Sequence, residues 1–283
     1  MSSVPQALGP AAAGAPVPAR IPNACQLDFT ARDGALYRLL ISVPSEPPPP
    51  AGFSAMVLVD GHALFATATA AATLQAQRPQ VTGVGPAVFI GIGYPGESPF
   101  DAERRQRDLL PTSGGAARFL DVIVDEILPA VGRLAVLDTA RLSLAGHSYG
   151  GLFVLHTLFT RPGLFAAHVA GSPSIWWNER AILASEEGFR YSAGPSGRLL
   201  ITVGGDEQGA HATSDPRRAE RLAMARMHDN AAEMAARLSA SGRIDCSFVA
   251  FPGENHVSVI PSMLSRAVAF ALAGTAREGS VRA

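Results

Sequence analysis

Hydrophobic and polar residues alternate with a period of two near the start of the chain, and short apolar runs follow. The alternation covers residues 26–30 and 36–43, on either side of Asp33 and Gly34, a pair typical of a tight turn. This pattern predicts an antiparallel hairpin. The proline-rich residues 44–50 predict a loop directly after it.

Six short, mostly apolar runs recur along the rest of the chain. Runs of this length without alternation are typical of strands buried on both faces of a sheet. The predicted strands cover residues 55–59, 87–92, 142–145, 167–170, 199–203 and 246–251. Helical periodicity between them predicts helices over residues 63–77, 115–134, 152–160, 218–239 and 259–272. Because strands and helices alternate, we predict an α/β fold: a mainly parallel sheet with helices on both faces.

Length and composition fit one large globular unit. The 283 residues are 47% hydrophobic with a mean hydropathy of +0.17, which is enough apolar material for a large core. We expect a single domain over residues 23–275, a flexible tail at 1–22 and a second tail at 276–283. Residues 178–196 are polar and irregular in pattern, so they predict an insertion above the sheet without regular structure.

Charge and cysteine content exclude several classes of protein. The 23 Lys and Arg residues nearly balance the 24 Asp and Glu residues, so no global basic field exists to bind nucleic acid or an anionic membrane. Cys25 and Cys246 lie far apart and form no CxxC redox or zinc pattern. The apolar runs fall short of the roughly 18 residues that a membrane helix needs. The first residues lack the basic and apolar blocks of a secretory signal, so we expect a cytoplasmic protein.

The pattern Gly-x-Ser-x-Gly follows the predicted strand at 142–145 directly and precedes a predicted helix. In this setting Gly146 and Gly150 leave room for a sharp turn that exposes the hydroxyl of Ser148 at the start of the helix. The unpaired backbone N–H groups of a helix N-terminus suit a developing oxyanion. Ser148 is therefore the candidate nucleophile, and the backbone N–H of Tyr149 is a candidate oxyanion donor.

A serine hydroxyl is a weak nucleophile at neutral pH, so a base has to follow later in the chain. Among seven histidines, His256 lies between the last predicted strand and the last predicted helix, where α/β-hydrolases carry their base. The other histidines form no HExxH pattern, so we predict no metal site.

The acid of such a site is expected after the strand at 199–203, where Asp206 and Glu207 are adjacent. We favour Glu207, because the loop usually turns its third residue after the strand-ending glycine toward the base, and Asp206 remains the alternative. The second oxyanion donor is expected in the turn after the strand at 55–59. There Gly61 lets the backbone approach a substrate, and the N–H of His62 is the candidate donor.

The chain resembles the putative-esterase (esterase D-like) branch of the α/β-hydrolases, and within it the siderophore esterases that open trilactone backbones. The resemblance covers about residues 29–272. It is carried by residues 59–65, 90–95, 107–111, 146–152, 172–177 and 253–256. His62 stands where the family usually has Asn. The resemblance implies an α/β-hydrolase fold, Ser148 as nucleophile, His256 as base, Glu207 as acid, and no metal or cofactor.

The resemblance also implies a small-molecule ester as substrate. Tyr94, Trp176 and Trp177 are candidate walls of a pocket for an aromatic acyl group, although at least one Trp is equally suited to packing against the core. Three arginines near Asp108 suit either an acidic substrate or an ion pair with that carboxylate, and we favour the ion pair. A general carboxylesterase or an acyltransferase of the same fold remains an alternative, and a non-catalytic binding scaffold is the least favoured.

Overall fold

The computed structural model describes residues 18–96, 98–111, 114–194, 197–209 and 215–273. The predicted tails lie outside the described residues, apart from residues 18–22, which are exposed and precede the first strand. The boundaries of the predicted single domain stay a prediction.

Eight strands form one sheet in the order β1-β2-β4-β3-β5-β6-β7-β8. They are β1 Ala24–Thr30, β2 Leu36–Ser42, β3 Phe53–Val59, β4 Ala87–Gly93, β5 Leu137–His147, β6 Ala167–Gly171, β7 Arg198–Gly204 and β8 Asp245–Phe251. The first two strands form the predicted hairpin, and β2 also runs antiparallel to β4. All later pairs are parallel, so the predicted sheet is confirmed. The carboxyl ends of β3 and β5 to β8 therefore meet at one edge.

Helices cover both faces of the sheet, as predicted. They are α1 Gly61–Ala76, α2 Pro79–Thr82, α3 Ala102–Leu109, α4 Gly115–Val122, α5 Leu128–Gly132, α6 Tyr149–Thr160, α7 Trp177–Arg180, α8 Ile182–Tyr191, α9 Pro216–Ala225, α10 Met227–Ser241 and α11 Val259–Leu272. A π-helical turn, Ile123–Ile127, joins α4 to α5. One buried cluster lies between the sheet and α1 with α11. A larger one lies on the other face, under α4, α6, α8 and α10.

Two sequence predictions of helical structure are corrected, and one helix was not predicted. The segment 178–196 is not irregular throughout, because α8 buries Ile182 and Phe189 within it. The predicted helix at 218–239 is two helices, because Arg226 between them adopts left-handed backbone angles (φ 44°, ψ 44°). The sequence analysis also missed α3, whose mean composition is strongly polar and whose buried side is only its C-terminal end. Within the described residues no helix is long and apolar enough to cross a membrane.

Candidate active site

Ser148 lies at the tight turn between β5 and α6, at the carboxyl edge of the sheet. Its backbone angles, φ 60° and ψ −116°, are strained for a residue with a side chain. The turn is held by the N–H of Ser148, which donates to the carbonyl of Gly171 at 2.9 Å. The turn places the partly exposed Ser148 at the N-terminus of α6, as the sequence pattern predicts.

The two glycines of the serine motif are required by close backbone packing. A Cβ atom on Gly146 would lie 2.5 Å from the backbone of Gly150, and one on Gly150 would lie 2.8 Å from the side chain of Val59. The start of α6 therefore lies directly against the end of β3. This contact brings the turn before α1 next to Ser148.

His256 and Glu207 come together from the loops after β8 and β7. The Nδ1 atom of His256 lies 2.5 Å from Oε2 of Glu207. The carboxyl group of Glu207 is buried, and its Oε1 atom accepts hydrogen bonds from the Ser172 hydroxyl at 2.5 Å and the Gly204 N–H at 2.6 Å. A carboxylate held in this way can orient the imidazole ring. Of the two adjacent acids, Glu207 contacts His256, whereas the backbone N–H of Asp206 donates to the carbonyl of Glu254.

Two serines next to the site were missed by the sequence analysis. Ser172 donates to Glu207 as described, and the buried Ser174 lies with its Oγ atom 3.3 Å from Oγ of Ser148. Both follow β6 directly, at the same sheet edge as the other site residues. That position after a parallel strand was a signal that could have indicated them.

The candidate oxyanion donors lie at the starts of two adjacent helices. Tyr149 is the first residue of α6, and Gly61 and His62 are the first two residues of α1. The first N–H groups of a helix have no acceptor within the helix itself. Gly61 is also required by packing, because a Cβ atom there would lie 2.7 Å from the backbone of Gly91. The pairing of His62 and Tyr149 as donors stays a prediction.

The three aromatic candidates occupy different environments. Trp176 is 39% exposed, and its ring centroid lies 6.4 Å from that of Tyr149. Trp177 is partly buried and packs against the core. Tyr94 is only 8% exposed; its ring lies near Tyr37, and its hydroxyl donates to the carbonyl of Arg104. The structure gives Tyr94 a packing contact, and its role in substrate binding stays a prediction.

A buried ion pair lies beneath the site. Arg105 donates to both carboxylate oxygens of Asp60, at 2.8 and 3.0 Å, and its guanidinium also lies over the ring of Tyr149. Burial raises the pKa of Asp60, and the neighbouring guanidinium opposes that shift. The favoured pairing with Asp108 is found for Arg107, at 2.8 and 2.6 Å. Arg105 makes a different contact from the one expected.

Within the described ranges, no group of three or more His, Cys, Asp or Glu side chains could hold a metal ion. Cys25 and Cys246 are both free thiols.

Comparison with known proteins places the chain among esterases. The sequence model of the family described as "Putative esterase" matches residues 34–248. The chain is 38% identical over 257 residues to the ferri-bacillibactin esterase BesA of Bacillus subtilis, covering 83% of this chain and 84% of that protein. It is 36% identical over 275 residues to the siderophore triacetylfusarinine C esterase of Aspergillus fumigatus, covering 89% and 94%. The structure of siderophore hydrolase EstB from Aspergillus nidulans matches with a TM-score of 0.82 at 30% identity, covering 92% and 98%.

The sheet order and the strand-serine-helix turn define the fold of the α/β-hydrolases, as the sequence resemblance implies. Within that class, the chain belongs to the putative esterase family and is a hydrolase of carboxylic esters.

Proposed function

We propose that Ser148, His256 and Glu207 form a catalytic triad that hydrolyses the backbone esters of a siderophore. The observation that carries the proposal is the 2.5 Å contact between His256 and Glu207 at the sheet edge that carries the strained Ser148. A nucleophile, a base and a carboxylate that orients the base are the parts that acyl transfer to water needs.

The reaction has two halves. In the first, Oγ of Ser148 attacks the ester carbonyl while Nε2 of His256 takes the hydroxyl proton, and Glu207 stabilises the resulting imidazolium. The backbone N–H groups of His62 and Tyr149 hold the oxyanion. Collapse of the tetrahedral intermediate breaks the ester bond, and His256 returns the proton to the leaving alcohol. In the second half, water attacks the acyl-serine while His256 takes a proton from the water. His256 then returns that proton to Oγ of Ser148 as the bond between Oγ and the acyl carbon breaks and the carboxylic acid leaves.

The siderophore substrate is supported by the named activities of the relatives, which act on ferri-bacillibactin and triacetylfusarinine C. The exposed face of Trp176 beside Tyr149 supports an aromatic acyl group, because offset stacking of aromatic rings adds to simple burial. The proposal includes a cytoplasmic location and no nucleic-acid or membrane partner. Both are inferred from the sequence pattern.

The test compares a ferric catecholate trilactone with p-nitrophenyl acetate, using purified wild type, Ser148→Ala and the matched control Ser265→Ala on the exposed side of α11. We expect the wild type to show a kcat/KM roughly tenfold or more higher for the trilactone. Ser148→Ala should lose turnover of both esters, on the order of 10⁶-fold, whereas Ser265→Ala should match the wild type.

The alternatives give different results in the same assay. Equal or poorer handling of the trilactone would leave a general carboxylesterase. Formation of a new ester when an alcohol is added would indicate an acyltransferase. Full activity of Ser148→Ala would overturn the triad.

A further inference from the structure

His147 is a buried titratable group that the proposed mechanism does not use. It is the last residue of β5, directly before Ser148, and it is only 2% exposed. Its ring centroid lies 4.5 Å from that of His256, with the two ring planes at 48°. The backbone of His256 also interacts with the His147 ring and partly opposes the lowering of the His147 pKa by burial. His147 therefore packs against the ring of the candidate base and lies near its main chain.

We propose that His147 is a positioning residue for His256. Its ring N–H donates to the His256 backbone and its ring packs against the imidazole, so that His256 keeps the orientation in which Nε2 accepts the Ser148 proton. This inference rests on the proposed function, in which His256 is the base.

The need for a second anchor follows from the surroundings of His256. The residue lies in the loop between β8 and α11, and its side chain is 39% exposed. The bond from Nδ1 to Glu207 fixes one atom of the ring, but the ring can still turn about that bond, which would change the direction of Nε2. A displacement of about 1 Å in a catalytic group can cost on the order of a hundredfold in rate. A buried ring packed against the imidazole opposes that movement.

The environment also keeps His147 uncharged. Burial, the neighbouring His256 and the Arg105 guanidinium together hold the pKa of His147 well below its usual range. Its Nε2 atom is buried and finds no hydrogen-bond partner among the described residues, so no acceptor stabilises a proton there.

The charged groups around His147 explain why neutrality matters. Arg105 reaches it from α3, with one guanidinium nitrogen 3.4 Å from the His147 carbonyl, and Asp60 pairs with that guanidinium. His256 faces it from the loop after β8, and Glu207 lies beyond His256. His256 becomes an imidazolium in each half of the reaction. A neutral ring beside it leaves that charge to interact with Glu207 alone, whereas a cationic neighbour would repel it.

Two substitutions separate the hydrogen bond from the packing. His147→Phe keeps an aromatic ring but loses the donor, and His147→Asn keeps a short donor near the position of the ring N–H. The matched control is His156→Phe. It makes the same change at a partly buried histidine of the neighbouring helix α6. The measurements are kcat and KM for the preferred ester, the melting temperature, and the proton NMR signal of the short hydrogen bond between His256 and Glu207.

We expect His147→Phe to lower kcat on the order of tenfold to a hundredfold with KM little changed. The far-downfield signal of the His256 Nδ1 proton should broaden or shift in that variant, while the melting temperature stays close to the wild-type value. His147→Asn should recover part of kcat and of the signal, and His156→Phe should match the wild type in both.

Wild-type kcat and an unchanged downfield signal in His147→Phe would overturn the positioning role. A loss of kcat that His147→Asn does not recover, with the downfield signal unmoved, would also overturn it. These failures are distinct from failure of the proposed function. If His256→Ala were still active, the triad itself would be wrong, whereas an inactive His256→Ala beside a fully active His147→Phe would remove only the role of His147.

Discussion

At the scale of single residues, the site is built from polar side chains that would be costly to bury without partners. Glu207 is almost fully buried, yet its two oxygens accept from the Ser172 hydroxyl and the Gly204 N–H and contact His256. Each of these contacts offsets part of the desolvation that burial of a carboxylate costs. The same bonds hold the carboxylate in one orientation. A surface acid in the same loop would lack this restraint.

Glu207→Gln should lower kcat/KM for the preferred ester by about 10⁴-fold, because the amide no longer stabilises the imidazolium or its correct tautomer. Asp206→Asn is the matched control, an equal change of charge one residue away, and it should cost little. Steady-state kinetics of both purified variants checks the prediction. The reverse order of losses would assign the role to Asp206.

Trp176→Ala should raise KM for aryl-bearing esters by roughly two- to tenfold, because stacking is worth about 0.5 to 1.5 kcal/mol beyond burial. KM for acetate esters should change much less, since acetate offers no ring to stack. Tyr191→Ala, which removes an aromatic side chain that is 79% exposed, serves as the control. A similar increase in KM for both classes of ester would argue against a stacking role.

At the scale of elements, the short segment α7 is strained, because its backbone is not right-handed helical throughout. Asn178, Glu179 and Arg180 all have positive φ, at 47°, 53° and 64°. Residues with a Cβ atom lose roughly 1–2 kcal/mol each in this conformation. This segment links Trp176 to α8. Trp176 lies beside Tyr149, the residue after Ser148, and the buried side of α8 packs on the core. Strain of this kind persists where surrounding packing imposes it.

Glu179→Gly should raise the free energy of unfolding by about 0.5–1 kcal/mol, because glycine adopts positive φ without steric cost and this gain exceeds its larger loss of chain entropy. The side chain of Glu179 is exposed, so few contacts are lost. The control is Glu187→Gly, an exposed position inside the right-handed helix α8, which should instead lose about 1 kcal/mol. Urea unfolding of both variants measures the difference, and destabilisation by Glu179→Gly would contradict the assignment of strain.

At the scale of the whole molecule, the middle of the sheet encloses a titratable group. His168 lies in β6, is fully buried, and has both ring nitrogens without side-chain partners in the described part of the chain. Burial lowers the pKa of His168 to about 4. The unfolded chain therefore binds a proton at this residue below about pH 6.5, while the folded protein binds it only near pH 4.

Stability should consequently be highest above pH 6.5 and should fall as the pH drops toward 4, by at most about 3 kcal/mol from this residue. His168→Leu removes the titration and should flatten that part of the curve of unfolding free energy against pH. Chemical unfolding of both proteins between pH 4 and pH 7.5 makes the comparison. Parallel curves for wild type and variant would contradict the prediction.

Local pattern alone determined much of this protein. Alternation of residues gave the hairpin, and short apolar runs gave the parallel strands, because burial on one or two faces of a sheet imposes those patterns directly on the sequence. The setting of Ser148 between a strand and a helix is equally local, since the close approach of Gly146 to Gly150 within the turn leaves room for glycine only. These features depend on neighbours within a few positions.

Other features were decided only by tertiary structure. The choice between Asp206 and Glu207 as partner of His256 depends on how a loop after β7 turns toward one after β8, which adjacent residues of the same charge do not encode. The pairing of Arg105 with Asp60 joins positions from separate elements, and Ser174 approaches Ser148 only because β5 and β6 are neighbours in the sheet. Long-range packing sets these distances, and no local pattern records it.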